Sequence, residues 1–93
     1  MKIKVLVSID EVCYNPRPAR DKYYEHASFD EVIALVKNQL EGMKVASFIA
    51  NGKNMMFIIS AHIESFVVTI EISGLKTDEQ MLALTEIVHG LMQ

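Results

Sequence analysis

From Lys2 to Ile9 the chain alternates, with Ile3, Val5, Val7 and Ile9 facing one way and Lys2, Lys4, Leu6 and Ser8 the other. Period-two alternation of β-branched residues predicts a strand whose first set is buried. Residues 10–27 show no periodicity and hold both prolines, Pro16 and Pro18, so they read as a long loop. Ser28-Phe29-Asp30-Glu31 is a capping box, in which Ser28 caps the amide of Glu31 and Glu31 reaches back. Phe29, Val32, Ile33, Val36 and Leu40 then recur at helical spacing, and Gly42 follows as a left-handed terminator.

Asn51-Gly52 is a strong hairpin signal, because a two-residue type I′ turn needs positive φ at both central positions. That turn pairs Ala50 with Lys53, Phe48 with Met55, Ala46 with Phe57 and Val45 with Ile58. A third run, Ile63 to Ile72, follows a short connection through Ala61-His62 and is expected to pair antiparallel with the strand before it. Thr77-Asp78-Glu79-Gln80 is a second capping box, opening a helix striped by Met81, Leu84, Ile87, Val88 and Leu91. The order β-α-β-β-β-α predicts an α+β fold over residues 1–93, a single globular domain. It is read as one mostly antiparallel four-stranded sheet with two helices packed on one face; one helix on each face is the alternative.

Composition adds a surplus to this pattern. Of 93 residues, 51% are hydrophobic and 23% charged, and the mean hydropathy of +0.21 excludes a disordered chain. So small a domain buries only about 60–65% of its unfolded surface, leaving apolar residues outside the core. The type I′ register assigns Ala46, Phe48, Met55, Phe57 and Ile59 to the core face. It assigns Val45, Ser47, Ile49, Met56 and Ile58 to the other, joined by Val67. That second face is covered either by the C-terminal helix or long loop, or by another chain. In the second case Val45, Ile49, Met56 and Ile58 are the self-association residues and a homodimer is the expected form.

Nine basic and twelve acidic residues give a charge of −3, with lysines scattered among acids, so no nucleic-acid footprint is expected. Cys13 stands alone, which fits a reducing cytoplasm, and no pair or cluster suggests a zinc site. The amino-terminal run is broken by two lysines and lacks a signal peptide's apolar core. No stretch reaches a membrane span. A soluble cytoplasmic protein is expected, with no membrane partner, metal or cofactor.

The chemistry concentrates in the 10–27 segment: Tyr14, Tyr23, Tyr24, Arg17, Arg20 and Cys13 all fall there. Tyr and Arg are the types enriched at binding hot spots, and an arginine between two prolines is stiffened to meet a carboxylate or phosphate. Tyr14, Arg17, Arg20, Tyr23 and Tyr24 are therefore the expected contacts to a protein partner or a small anionic ligand. The competing reading has Tyr23 and Tyr24 closing the edge of the core and Arg17 and Arg20 pairing with Asp10, Glu11, Asp21 or Glu25. Cys13 with His26 or His62 suggests a thiol and base, but no third orienting group accompanies them. His26, His62 and His89 are too dispersed for a metal site, and the four glycines are isolated. No catalytic residue is assigned, and an enzyme is not favoured. The expected function is a small cytoplasmic binding module, self-associating and engaging a protein partner in an immunity-like or regulatory role. The alternative is a small-molecule binder or minor enzyme with a pocket under the Tyr/Arg loop.

Overall fold

The computed structural model describes residues 2–11, 20–26 and 28–92. Their order is β1 (Ile3–Glu11), β2 (Arg20–His26), α1 (Phe29–Leu40), β3 (Lys44–Asn51), β4 (Met56–Ile63), β5 (Phe66–Ser73) and α2 (Asp78–Leu91). The fold is α+β, with an antiparallel sheet, but the sheet has five strands rather than four, in the order β2-β1-β5-β4-β3. The additional strand is β2, which lies inside the segment expected to be a loop. It pairs with β1 from Ile3 opposite His26 to Ile9 opposite Arg20. As an edge strand with one neighbour it has little to bury. Among its described side chains Lys22, Tyr23 and Glu25 are exposed and Tyr24 packs against the core, and no apolar alternation in the sequence announces it.

The central strands bury alternate residues. Ile3, Val5 and Val7 of β1, Val68, Ile70 and Ile72 of β5, and Phe57, Ile59 and Ala61 of β4 form one cluster. Val32, Val36 and Leu40 of α1 and Met81, Leu84 and Val88 of α2 join that same cluster. Both helices thus lie on one face, α1 over β1 and β2 and α2 over β3 and β4. Helix α1 carries the chain from one edge of the sheet to the other. Its cap differs slightly from the capping box: the Ser28 hydroxyl accepts from the Asp30 N–H at 3.2 Å. At α2 the Thr77 hydroxyl accepts from the Gln80 N–H at 3.2 Å, and the Gln80 side chain accepts from the Lys76 N–H at 2.8 Å. Orphan amides of the first turn are satisfied this way.

The β3–β4 hairpin departs from the two-residue register. Asn51 pairs with Met56, Ala50 with Phe57 and Phe48 with Ile59, which leaves Gly52 to Met55 as the loop. The Asn51 side-chain oxygen accepts from the Lys53 and Asn54 N–H groups at 3.1 and 3.2 Å. Asn51 therefore organises the turn through its side chain, and the left-handed residue is Met55, at φ 52°. The slip is four positions, an even number, so Phe48, Phe57 and Ile59 keep their side of the sheet. Phe48 and Phe57 stack with ring centroids 5.4 Å apart.

An irregularity between Val45 and Ser47 then inverts the start of β3. Val45 lies opposite Ala61 and is 5% exposed, whereas Ala46 is exposed. Val45 therefore belongs to the core, not to the outer face where the regular register puts it, because one extra residue reverses the alternation. The β4–β5 turn also moves: His62 is a strand residue, Ile63 pairs with Phe66, and Glu64 and Ser65 form the connection.

Candidate functional site

With both helices on one side, the opposite face of the sheet is open, and the registers place its side chains in rows. One row crosses all five strands: Tyr23 opposite Leu6, Leu6 opposite Glu71, Glu71 opposite Ile58, and Ile58 opposite Ile49. It is apolar apart from its centre. The next row is built from small hydroxyl residues on four strands, with Asp21 at its β2 end: Asp21 opposite Ser8, Ser8 opposite Thr69, Thr69 opposite Ser60, and Ser60 opposite Ser47. Beyond it run Asp10, Val67, His62 and Lys44, also in register. On the other flank Glu25, Lys4 and Ser73 are in register, with Met56 opposite Asn51 on the far strands.

Tyr23 is 55% exposed and Ile49 62%; Leu6, Met56, Ile58, Val67 and Glu71 are partly exposed. Sheet faces meant for water alternate with charged and polar residues. Here five apolar or aromatic side chains (Tyr23, Leu6, Ile58, Ile49 and Met56) sit beside short hydroxyls, which leaves a flat surface able to approach another. The Tyr23 hydroxyl donates to a Glu25 carboxylate oxygen at 3.3 Å. Glu71 has no side-chain hydrogen bond or ion pair among the described residues.

Of the residues expected to self-associate, Ile49, Met56 and Ile58 share this face, and Val45 does not. The five expected loop contacts are separated. Tyr14 and Arg17 lie outside the described residues, as do Cys13 and the side chains of Arg20 and His26. Arg20 opens β2 opposite Ile9. Successive residues of a strand point to opposite sides, so Tyr23 joins the open face while Tyr24 packs against the core. Leu6 and Glu71 were not foreseen as site residues. Leu6 carried the signal, as the one aliphatic residue on the polar side of β1.

Among the described residues two concave features bear on ligand binding. A depression of about 180 Å³ on the open face is lined by Lys4, Leu6, Tyr23, Glu71 and Ser73. It is smaller than the roughly 300–1,000 Å³ of small-molecule sites. An open groove of about 580 Å³ lies between the carboxyl ends of the two helices, bordered by Leu40, Met43, Ile87 and Leu91. No group of three or more metal-ligating side chains occurs among the described residues. His62 is an exposed strand residue and His89 lies in the last turn of α2, where a cation favours the helix dipole. Among the described residues no helix is long and apolar enough to cross a membrane. Comparison with protein families, curated proteins and solved structures finds no match to this chain.

Proposed function

We propose that the protein is a small binding module whose working surface is the open face of the sheet, occupied by a second copy of the chain. The observation that carries this reading is the apolar row Tyr23, Leu6, Ile58 and Ile49, with Met56 beside it, on a face no helix covers. Area supports it. Five strands about 4.8 Å apart and eight residues long give a footprint of about 24 by 26 Å, or roughly 600 Å² before side-chain relief is counted. A standard interface takes about 800 Å² of accessible surface from each partner. Closed two-fold pairs are also the simplest way for one face to cover itself. A protein partner reached through Tyr14, Arg17 and Arg20 is a further part of the reading, with Tyr23 linking that segment to the open face.

Sedimentation velocity over a concentration series tests the proposal. The wild type is expected to form dimers at micromolar to sub-millimolar concentration, and Ile58→Glu to remain monomeric with an unchanged circular dichroism spectrum. Leu82→Glu, at a 58% exposed position on α2, is expected to dimerise like the wild type. A wild type that stays monomeric throughout, or an Ile58→Glu variant that dimerises normally, overturns the proposal.

A further inference from the structure

We infer that the second copy stacks with its two-fold axis along β5, which sets Glu71 opposite Glu71 of the partner subunit. This rests on the open-face dimer proposed above and adds its geometry. A two-fold interface must be complementary to itself, residue by residue. Apart from the facing carboxylates at its centre, the open face comes nearest to that demand about β5. β5 is the middle strand of five, and the first three rows carry related or complementary residues on the two strands beside it, whereas on the other flank Lys4 and Glu25 mirror Met56 and Asn51. In the apolar row, Leu6 and Ile58 flank Glu71, and Tyr23 and Ile49 end the row. In the hydroxyl row Ser8 and Ser60 flank Thr69, and in the next Asp10 and His62 flank Val67.

Turning a copy over about β5 lays Leu6 on Ile58 of the partner subunit, Tyr23 on Ile49 of the partner subunit, Ser8 on Ser60 of the partner subunit and Asp21 on Ser47 of the partner subunit. Asp10 then meets His62 of the partner subunit, an acid against a base. An axis across the strands between the two rows would instead lay Leu6 on Ser8 and Ile58 on Ser60, burying hydroxyls against methyl groups without partners. Tilting the axis to reach the usual crossing of about −30° between packed sheets displaces the outer strands most and the centre least.

Glu71 is therefore a like-charge contact at the middle of the dimer. The charged groups nearest to it on the same face are Lys4, diagonally across on β1 in the same shallow depression, and the peripheral Glu25, Asp10, His62 and Lys44. Its effect is to hold self-association weaker than the apolar row alone would make it, and to favour a partner face bearing a cation at that point. Two unit charges roughly 7 Å apart near a protein surface change an association constant by about tenfold or more.

The test is a charge exchange. Isotopically labelled wild type is mixed with unlabelled Glu71→Lys and the dimer species are counted by native mass spectrometry. Heterodimers are expected in excess of the statistical proportion, an excess that shrinks with salt. Glu71→Gln alone is expected to dimerise about tenfold more tightly than the wild type. Glu86→Lys, which reverses an exposed acid on α2 away from the open face, is expected to mix statistically with the wild type. If dimers form but Glu71→Lys mixes statistically and Glu71→Gln leaves the affinity unchanged, the axis is wrong while the open-face dimer stands. If neither the wild type nor Glu71→Gln dimerises, both fall together.

Discussion

Exchanging the side chains at positions 45 and 46 tests the irregularity that decides which residues of β3 face outward. Val45 lies opposite Ala61 at 5% exposure, while its exposed neighbour Ala46 is the extra residue between the Val45–Ala61 and Ser47–Ser60 pairs. Val45→Ala removes two buried carbons at about 0.8 kcal/mol each, and the cavity left behind raises the total to about 2–3 kcal/mol. Ala46→Val adds the same atoms on the solvent side and is expected to change stability by no more than about 0.5 kcal/mol. A regular two-residue hairpin would reverse the ranking. Ala46 would then face Phe57 in the core, where added methyls cost about 1–3 kcal/mol, and Val45 would be free to shrink. Urea unfolding followed by circular dichroism distinguishes the two. With a slope of about 1–1.5 kcal/mol per molar, Val45→Ala should lower the midpoint by about 2 M and Ala46→Val should leave it in place. All samples are compared at one low protein concentration, so that association contributes little. Equal effects, or a larger loss from Ala46→Val, would refute the placement of Val45 in the core and return it to the outer face.

Two backbone predictions accompany it. Gly74 has φ +82°, and a Cβ there would sit 3.1 Å from the Lys2 carbonyl oxygen, whereas Gly42 has φ +78° with nothing within 4 Å. Gly42→Ala is therefore expected to lose about 1 kcal/mol from the left-handed conformation alone, and Gly74→Ala at least about 1 kcal/mol more, read as a clear gap between their melting temperatures. Glu64 holds φ 53° on an exposed two-residue turn. Glu64→Gly relieves about 1–2 kcal/mol of backbone strain against roughly 0.4–1 kcal/mol of added unfolded-chain entropy. A rise of about 4 °C in melting temperature is expected, and Glu64→Ala should give none.

What could be read from the chain followed the strength of its periodicity. Helix α1 carries start and stop signals in Ser28 and Gly42 and α2 a start signal in Thr77, and their stripes supplied the residues that α1 and α2 bury. Alternation identified the inward faces of β1, β4 and β5, since a residue on a central strand has packed neighbours on both sides. β2 has neighbours on one side and, among its described side chains, offers Tyr24 alone to the core, so its pairing depends on backbone hydrogen bonds that no side-chain pattern encodes. The hairpin failed differently. Asn51-Gly52 has the residues for a type I′ turn, but the Asn51 side chain binds two loop amides, and the longer loop brings Phe57 opposite Ala50 and Ile59 opposite Phe48. Face assignments survived that slip because it was even. Val45 did not survive the irregularity, because one residue is odd.

The open face follows from how much helix the chain has to lay over its sheet. A sheet of five strands is about 24 Å wide, and a helix with its side chains covers a strip about 10 Å wide. Helices of 12 and 14 residues therefore cover one face and leave nothing for the other. Such a face can be made safe for water with lysines and glutamates on every outward position, as antiparallel sheets commonly are. Here charge is confined to the ends of the strands and to Glu71, while Leu6, Ile58, Ile49 and a row of short hydroxyls occupy the interior of the face. Part of the apolar surplus in the composition is thus on this face, while Ile63, Leu82, Leu91 and Met92 are exposed elsewhere. In the proposed dimer, the central carboxylate is the feature that would keep pairing weak and responsive to the charge it meets.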